Sequence, residues 1–388
     1  MKNNWPTKKL GEIAQFLRGS GLSKKDLVPA GAYKCILYGQ LYTTYGPVID
    51  RVESRTDKRG TVLSVAGDVL VPGTTTADEI GIAVASALNE SGVILGGDIN
   101  IIRTENKILN SKFLAYLLSG PFKMRMAKYA RGTNIIHLSG KDIAKIEVPI
   151  PPMQTQKQIV GRLDKIAEAQ KLNDGLIQKS DELFQSLFYN EYEAKSNQWP
   201  PQKLEEVCEK IKQVQPKKVF EKEFSYIDIA SINDEGVIRA QITSVGKAPS
   251  RARKVVKTGD TIFSTVRPYL KHIAYVPEML NNSVASTGFC VVRPNPDLAD
   301  PLFINYVVES DHFVKKILPF QRGANYPAVS DKNVYGIKVS LPPLDTQKQI
   351  VAKLSAAQDY KTQLLARRAK LKELFDSVLD KSMKGKMD

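Results

Sequence analysis

The spacing of apolar residues changes character twice along this chain, in the same way each time. In the first part they come in short runs, Val69–Pro72, Ile99–Arg103 and Ile143–Ile150, separated by Gly, Asp and Pro. That is the pattern of strands between turns, and it returns at Phe289–Arg293. Phe113–Leu118 and Phe303–Val308 read as short helices. After each block the period lengthens. Ile159, Leu163, Ile166, Ile177, Phe184 and Leu187 follow steps near three and four. So do Ile350, Leu354, Ala357, Leu364, Leu371, Phe375 and Val378. Such spacing keeps one face of a long helix against a partner helix. Gln170, Asn173, Lys361 and Arg368 interrupt the stripes, as suits two paired helices with something else covering a neighbouring face. Each helix is expected to run about 30–35 residues, roughly 45–50 Å.

The two helices begin alike. Pro151-Pro152 and Pro342-Pro343 close the strand-like runs KIEVPI and GIKVSL and bar an earlier helix start. Thr155-x-x-Gln158 and Thr346-x-x-Gln349 then read as capping boxes. The whole string IPPMQTQKQIV at 150–160 returns as LPPLDTQKQIV at 341–351.

Other matches keep the same order. Trp5-Pro6 with Lys9-Leu10 returns as Trp199-Pro200 with Lys203-Leu204, and Gly67-Asp68 as Gly259-Asp260. Arg131-Gly132-x-Asn134 returns as Arg322-Gly323-x-Asn325, and Leu183-Phe184-x-Ser186 as Leu374-Phe375-x-Ser377. Offsets stay between 191 and 194, so the chain is an internal duplication. The expected organisation is a domain at 1–150, a spacer helix at 151–192, a second domain at 193–341 and a C-terminal helix at 342–388. The fold class is α+β, with two similar globular domains alternating with two long helices.

Composition narrows the chemistry. The 388 residues suit two domains, and 42% apolar with 25% charged residues is a globular balance. Lys and Arg number 56 against 41 Asp and Glu, a net +15, which points to a polyanionic partner, nucleic acid before membrane. Cys35, Cys208 and Cys290 are scattered and suit a reducing cytoplasm without disulfides. The start, MKNNWPTKKLGEI, lacks the apolar core of a secretory leader, and 81–95 is too short and too polar to span a bilayer.

No phosphate loop, dinucleotide fingerprint or Gly-x-Ser-x-Gly occurs. His137, His272 and His312 have no ligand spacing, so neither a metal nor a cofactor is implied and no catalytic residue is assigned. What remains is basic loops. The first domain offers Arg51, Arg55, Lys58 and Arg59, with the hydroxyls of Thr74 and Thr75 nearby. The second offers Arg251, Arg253, Lys254, Arg267, Tyr269 and Lys271. Arg131 with Asn134, and Arg322 with Asn325 and Tyr326, sit before the strand leading into each helix, where making a turn and touching DNA are equally open. Lys and Arg neutralise phosphates, while Arg, Asn and Thr also read base edges.

The junctions and helices match closely between copies, whereas the loops at 40–90 and 231–282 barely match. A common frame with divergent tips implies two different targets. The other readings are a stand-alone DNA-acting enzyme, such as a nuclease or base-modifying enzyme, and a structural coiled-coil adaptor.

On these features the chain resembles the specificity subunits of type I restriction-modification enzymes over essentially its whole length. The resemblance rests on the alternation of domains and helices and on Pro-Pro followed by Gln156-Lys-Gln-Ile-Val and Gln347-Lys-Gln-Ile-Val. It implies antiparallel pairing of the helices, a pseudo-two-fold relation of the halves, and one half of a split, asymmetric DNA site for each domain. It also implies a non-catalytic cytoplasmic subunit. The partners would be double-stranded DNA, two adenine-N6 methyltransferase subunits and ATP-dependent motor-nuclease subunits, with no membrane. Thr155 and Thr346 stand where that family commonly has Glu, so a methyltransferase contact through that Glu is not carried over. Helices of this length would act as a ruler leaving an unread gap on the order of 5–8 base pairs.

Overall fold

The computed structural model describes residues 5–104, 108–233 and 236–383. The first four residues of the MKNNWPTKKLGEI start, and the part of the 342–388 segment beyond Met383, lie outside them. The chain divides into two compact units, residues 1–176 with 364–388, and residues 177–363. Each unit therefore holds one globular domain, the first half of the helix that follows it, and the far end of the other long helix.

In the first unit the central sheet has five strands in the order Ala14–Arg18, Ile99–Thr104, Asp68–Pro72, Ser86–Leu88, Val48–Ile49. Val69, Val71 and Ile102 face the cluster around Phe113 and Leu117 of helix Ser111–Ser119. Leu70, Ile99 and Ile101 face a second cluster with Ile36, Leu41 and Leu95. This is the alternation that a pleated strand imposes. In the second unit strand Thr261–Ser264 lies between Ile273–Tyr275 and Phe289–Val292. Phe263 and Cys290 point towards Phe303 and Phe313, while Ile262 and Val291 join Ile227 and Val256. A four-stranded sheet containing Glu223–Ile227, Val284–Ser286 and Ala252–Val255 completes this domain.

The repeated sequence signals correspond to repeated backbone joints. Strand Thr7–Lys9 pairs with Glu147–Pro149, and Pro201–Lys203 pairs with Lys338–Ser340. The Pro6 and Pro200 carbonyls accept from Ile150 N and Leu341 N, at 2.8 and 3.2 Å. The expected strand 143–150 is cut short, because Ile143 ends a helical turn, Gly140–Ile143, before the strand starts at Glu147.

Gly67 and Gly259 take φ of 94° and 90°, turning the chain so that Asp68 and Asp260 enter the core at 0% and 1% exposure. Each carboxylate binds a guanidinium through both oxygens, Arg103 at 2.8 and 2.9 Å and Arg293 at 2.8 and 2.7 Å. It also accepts the amide three residues back, from Val65 or Lys257. A buried carboxylate is tolerable only when its oxygens are occupied in this way.

Helices Met153–Glu191 and Leu344–Met383 contain 39 and 40 residues, or about 60 Å each, longer than the periodicity implies. They begin directly after the proline pairs, which places Thr155 and Thr346 inside the first turn and overturns the expected capping boxes. The residue that secures each start is the neighbouring glutamine. Gln156 is fully buried; its Oε1 accepts from Asn110 N at 2.8 Å, and its Nε2 donates to the carbonyls of Ile108 and Pro151. Gln347 makes the same three bonds, to Asp300 N, Leu298 O and Pro342 O. This clamp ties the long helix to the start of the domain's own helix and accounts for the recurrence of the TQKQIV string.

The apolar stripes split their work. Ile159 and Leu163 belong to the first domain's core and Ile350 and Leu354 to the second's, a correction to their reading as helix-to-helix contacts alone. Phe375, Val378 and Leu379 pack on the first core, and Phe184, Leu187 and Phe188 on the second. Leu364 is buried at 4%, while Ile166, Ile177 and Leu371 are partly buried. Of the polar interruptions, Asn173 and Lys361 link helix to helix, while the domain cores cover the neighbouring face as expected. In the first unit Asn173 Nδ2 donates to the Leu364 carbonyl at 3.0 Å. In the second, Ser180 pairs with Ala357, Asp181 with Lys361 and Glu191 with Lys353, an order that makes the two segments antiparallel.

Candidate nucleic-acid interface

In each domain the frame brings two loops together that the sequence leaves about sixty residues apart. In the first, the connection after strand Asp68–Pro72 pairs with the Arg131 loop, Thr74 opposite His137 and Thr75 opposite Ile136. Arg131 and His137 exchange both backbone hydrogen bonds, at 2.9 and 2.7 Å. In the second, Val266 bridges Ala328, and Arg322 and Ala328 exchange both bonds at 2.9 Å. Leu138 N donates to Gly73 O, and at the corresponding place Val329 N donates to Thr265 O, both at 2.9 Å. The Arg-Gly pairs thus close tight loops. Gly132 has φ 136°, where a Cβ would sit 2.0 Å from the Ile135 carbonyl oxygen, and Gly323 has φ 96°. The turn-forming role is met by the backbone, while the side chains of Arg131, Asn134, Arg322, Asn325 and Tyr326 remain exposed on the loops.

The other candidates are distributed unevenly. Arg51 is exposed. Arg55 donates through Nε to the Gly31 carbonyl at 2.6 Å, Lys58 lies 3.6 Å from Asp26, and Arg59 Nε donates to the Tyr33 hydroxyl at 3.2 Å. The 50–60 stretch is thus anchored on the 26–33 segment. Thr74 and Thr75 are nearly covered, at 8% and 9% exposure. Tyr42, whose hydroxyl donates to the Thr74 carbonyl at 2.8 Å, lies against them, and burial pushes its pKa up to about 12, so it stays a neutral donor.

In the second domain Arg251 is exposed and Arg253 Nε donates to the Ser250 carbonyl at 2.9 Å. Lys254 is the clearest correction. Residues 252–255 form a strand with Ala252 and Lys254 inward, so Lys254 is 4% exposed and bonds Phe289 O and the Asp331 carboxylate. Its charge is spent inside the domain. Tyr269 is half exposed, and Lys271 is paired with Asp311. Arg267 stands at the meeting of the two loops, its Cζ 5.2 Å from the Tyr326 ring centroid.

The first domain's tip also exposes two acids, Asp78 and Glu79, beside the basic and hydroxyl residues. The thiols are not poised as nucleophiles: burial raises Cys35, pushes Cys208 up to about 12 and holds Cys290 well above the usual range. Among the described residues no helix is long and apolar enough to cross a membrane.

Comparison with known proteins bears directly on this arrangement. The model of the type I restriction modification DNA specificity domain matches twice, at residues 2–179 and 196–374. The HindI type I restriction enzyme specificity subunit of Haemophilus influenzae is 25% identical over 136 residues, covering 34% of this chain and 30% of that protein. The MjaVIII specificity subunit of Methanocaldococcus jannaschii is 25% identical over 326 residues, covering 75% of this chain and 72% of the relative. The fold is similar to that of a type I restriction-modification S subunit from M. genitalium, with a TM-score of 0.60 at 16% identity, covering 98% of this chain and 97% of the other.

Proposed function

We propose that this chain, which belongs to the type I restriction-modification DNA specificity family, reads a bipartite, asymmetric site on double-stranded DNA, one half with each domain. The chain is a specificity subunit, a recognition component rather than a catalyst. Its long helices serve as the ruler that sets the length of the unread gap in the DNA site. Adenine-N6 methyltransferase subunits, two per chain, and motor-nuclease subunits assemble on it and carry the chemistry.

The observation that supports this reading best is the pairing of a shared frame with unlike tips. The buried Asp–Arg pair, the glutamine clamp and the Arg-Gly loop recur in both domains. The tip side chains do not recur: exposed Thr76, Asp78 and Glu79 in the first, half-buried Arg267 and exposed Tyr269 in the second. An excess of 15 positive charges supplies the sequence-independent attraction that phosphate contacts require.

The test is a map of N6-methyladenine in the host genome with the gene intact and deleted. Loss of one split, asymmetric motif on deletion is the expected result. A map with no split motif dependent on the gene counts against the reading.

A further inference from the structure

We propose that Arg267 reads a guanine in the half-site of the second domain; the assignment rests on the DNA-reading role argued above and adds the residue and the base. Arg267 lies in the 265–272 connection, where the hairpin meets the Arg322–Ala328 loop. Its backbone is left-handed, φ 49° and ψ 56°, a conformation that a side chain with a Cβ rarely adopts. The residue is held there from both sides. Its N donates to Pro327 O at 2.7 Å, and its carbonyl accepts from Leu270 N at 2.9 Å. Such conformations persist where the surroundings over-determine them, and they concentrate at ligand-contacting positions.

The side chain is fixed as well. Nη2 donates to the Asn325 carbonyl at 3.2 Å, the guanidinium lies over the Tyr326 ring, and Nε is buried without a partner. The edge left to present is therefore the outer one, Nη1 with the second Nη2 hydrogen. Two parallel donors on one rigid plane match the O6 and N7 acceptors that guanine shows in the major groove.

Neighbouring cations differ in the way that matters. Lys254 is neutralised by Asp331 and Lys271 by Asp311, whereas among the described residues no carboxylate is paired with Arg267. A phosphate contact needs a charge within reach but no fixed plane. Here the plane is fixed by a backbone carbonyl and a ring, and the charge is left uncompensated. The corresponding position in the first domain is Thr75, nearly covered and without charge, so this feature separates the two readers although the frame beneath them is common.

The experiment uses the chain assembled with its methyltransferase in cells, comparing methyladenine maps for wild type, Arg267→Lys and Arg267→Gln. Loss of the requirement for guanine at one position of one half-site, with the other half-site unchanged, supports the assignment. A Lys variant with the wild-type motif makes Arg267 a phosphate contact and overturns it. Because a variant could fail to fold, the wild-type complex is also bound to duplexes carrying 7-deazaguanine, which lacks N7, at each guanine of the motif in turn. Weakening on the order of tenfold or more at one guanine of the second domain's half-site is expected. Insensitivity at every guanine, or a bipartite motif in which neither half requires guanine, overturns the assignment while leaving the DNA-reading role standing. A wild-type map with no split motif overturns both.

Discussion

The same hairpin stands in both domains, yet its tip has 13 residues (73–85) in the first and 8 (265–272) in the second. At its base the two are alike: a left-handed glycine, an Asp buried against an Arg, and the same register with the neighbouring strands. At its tip the first carries threonines and two exposed acids, and the second a left-handed arginine whose guanidinium lies over a tyrosine ring. Base and tip answer to different demands. The base must satisfy a buried charge and a backbone turn, which few residues can do. The exposed part of the tip is constrained by whatever it touches.

If the base is common property, breaking it should cost the same in both copies. Asp68→Asn and Asp260→Asn each leave an arginine without its counter-charge, and each is expected to lose about 3–5 kcal/mol of stability by chemical denaturation. A loss confined to one copy would break the equivalence.

The Arg-Gly loops sharpen the comparison, because they are alike in topology but not in tightness. An added Cβ meets a carbonyl oxygen at 2.0 Å on Gly132 and at 3.1 Å on Gly323. Gly132→Ala should therefore destabilise by about 2–3 kcal/mol and Gly323→Ala by about 1 kcal/mol, read from unfolding midpoints. The reverse order would contradict the described loop geometry.

The smallest effect concerns two cations three residues apart. Arg251→Ala should reduce the slope of log affinity against log salt by about one, as expected for one lost phosphate contact. Lys254→Met should leave that slope unchanged while lowering stability, because its charge already sits on Asp331. Equal slopes for the two variants would show that burial does not separate them.

Much of the frame was legible because repetition exposes what packing requires. Trp5-Pro6, Gly67-Asp68, Arg131-Gly132 and the TQKQIV string each mark a joint present twice in the fold. The reason for each was less legible. Thr155 reads as a cap by local rules, but Gln156 is the anchor, and its partners at 108–110 are fixed only by tertiary structure. Helical spacing placed Ile159 and Ile350 on the buried face without revealing that the face meets a domain core as well as a helix. At the candidate interface, Lys254 was misplaced because a run of cations resembles a solvated loop until strand alternation turns one inward. The meeting of the 73–75 segment with the Arg131 loop, and of 265–267 with the Arg322 loop, follows from strand pairing that no local pattern encodes.

The account rests on each domain carrying its own half of the specificity, and a chain with its first domain replaced by a second copy of residues 201–341 tests that most directly. Mapping methyladenine in cells that carry this chain and its methyltransferase partner should yield a motif whose two halves are inverted copies of the second domain's half-site. Retention of the original asymmetric motif would contradict the account.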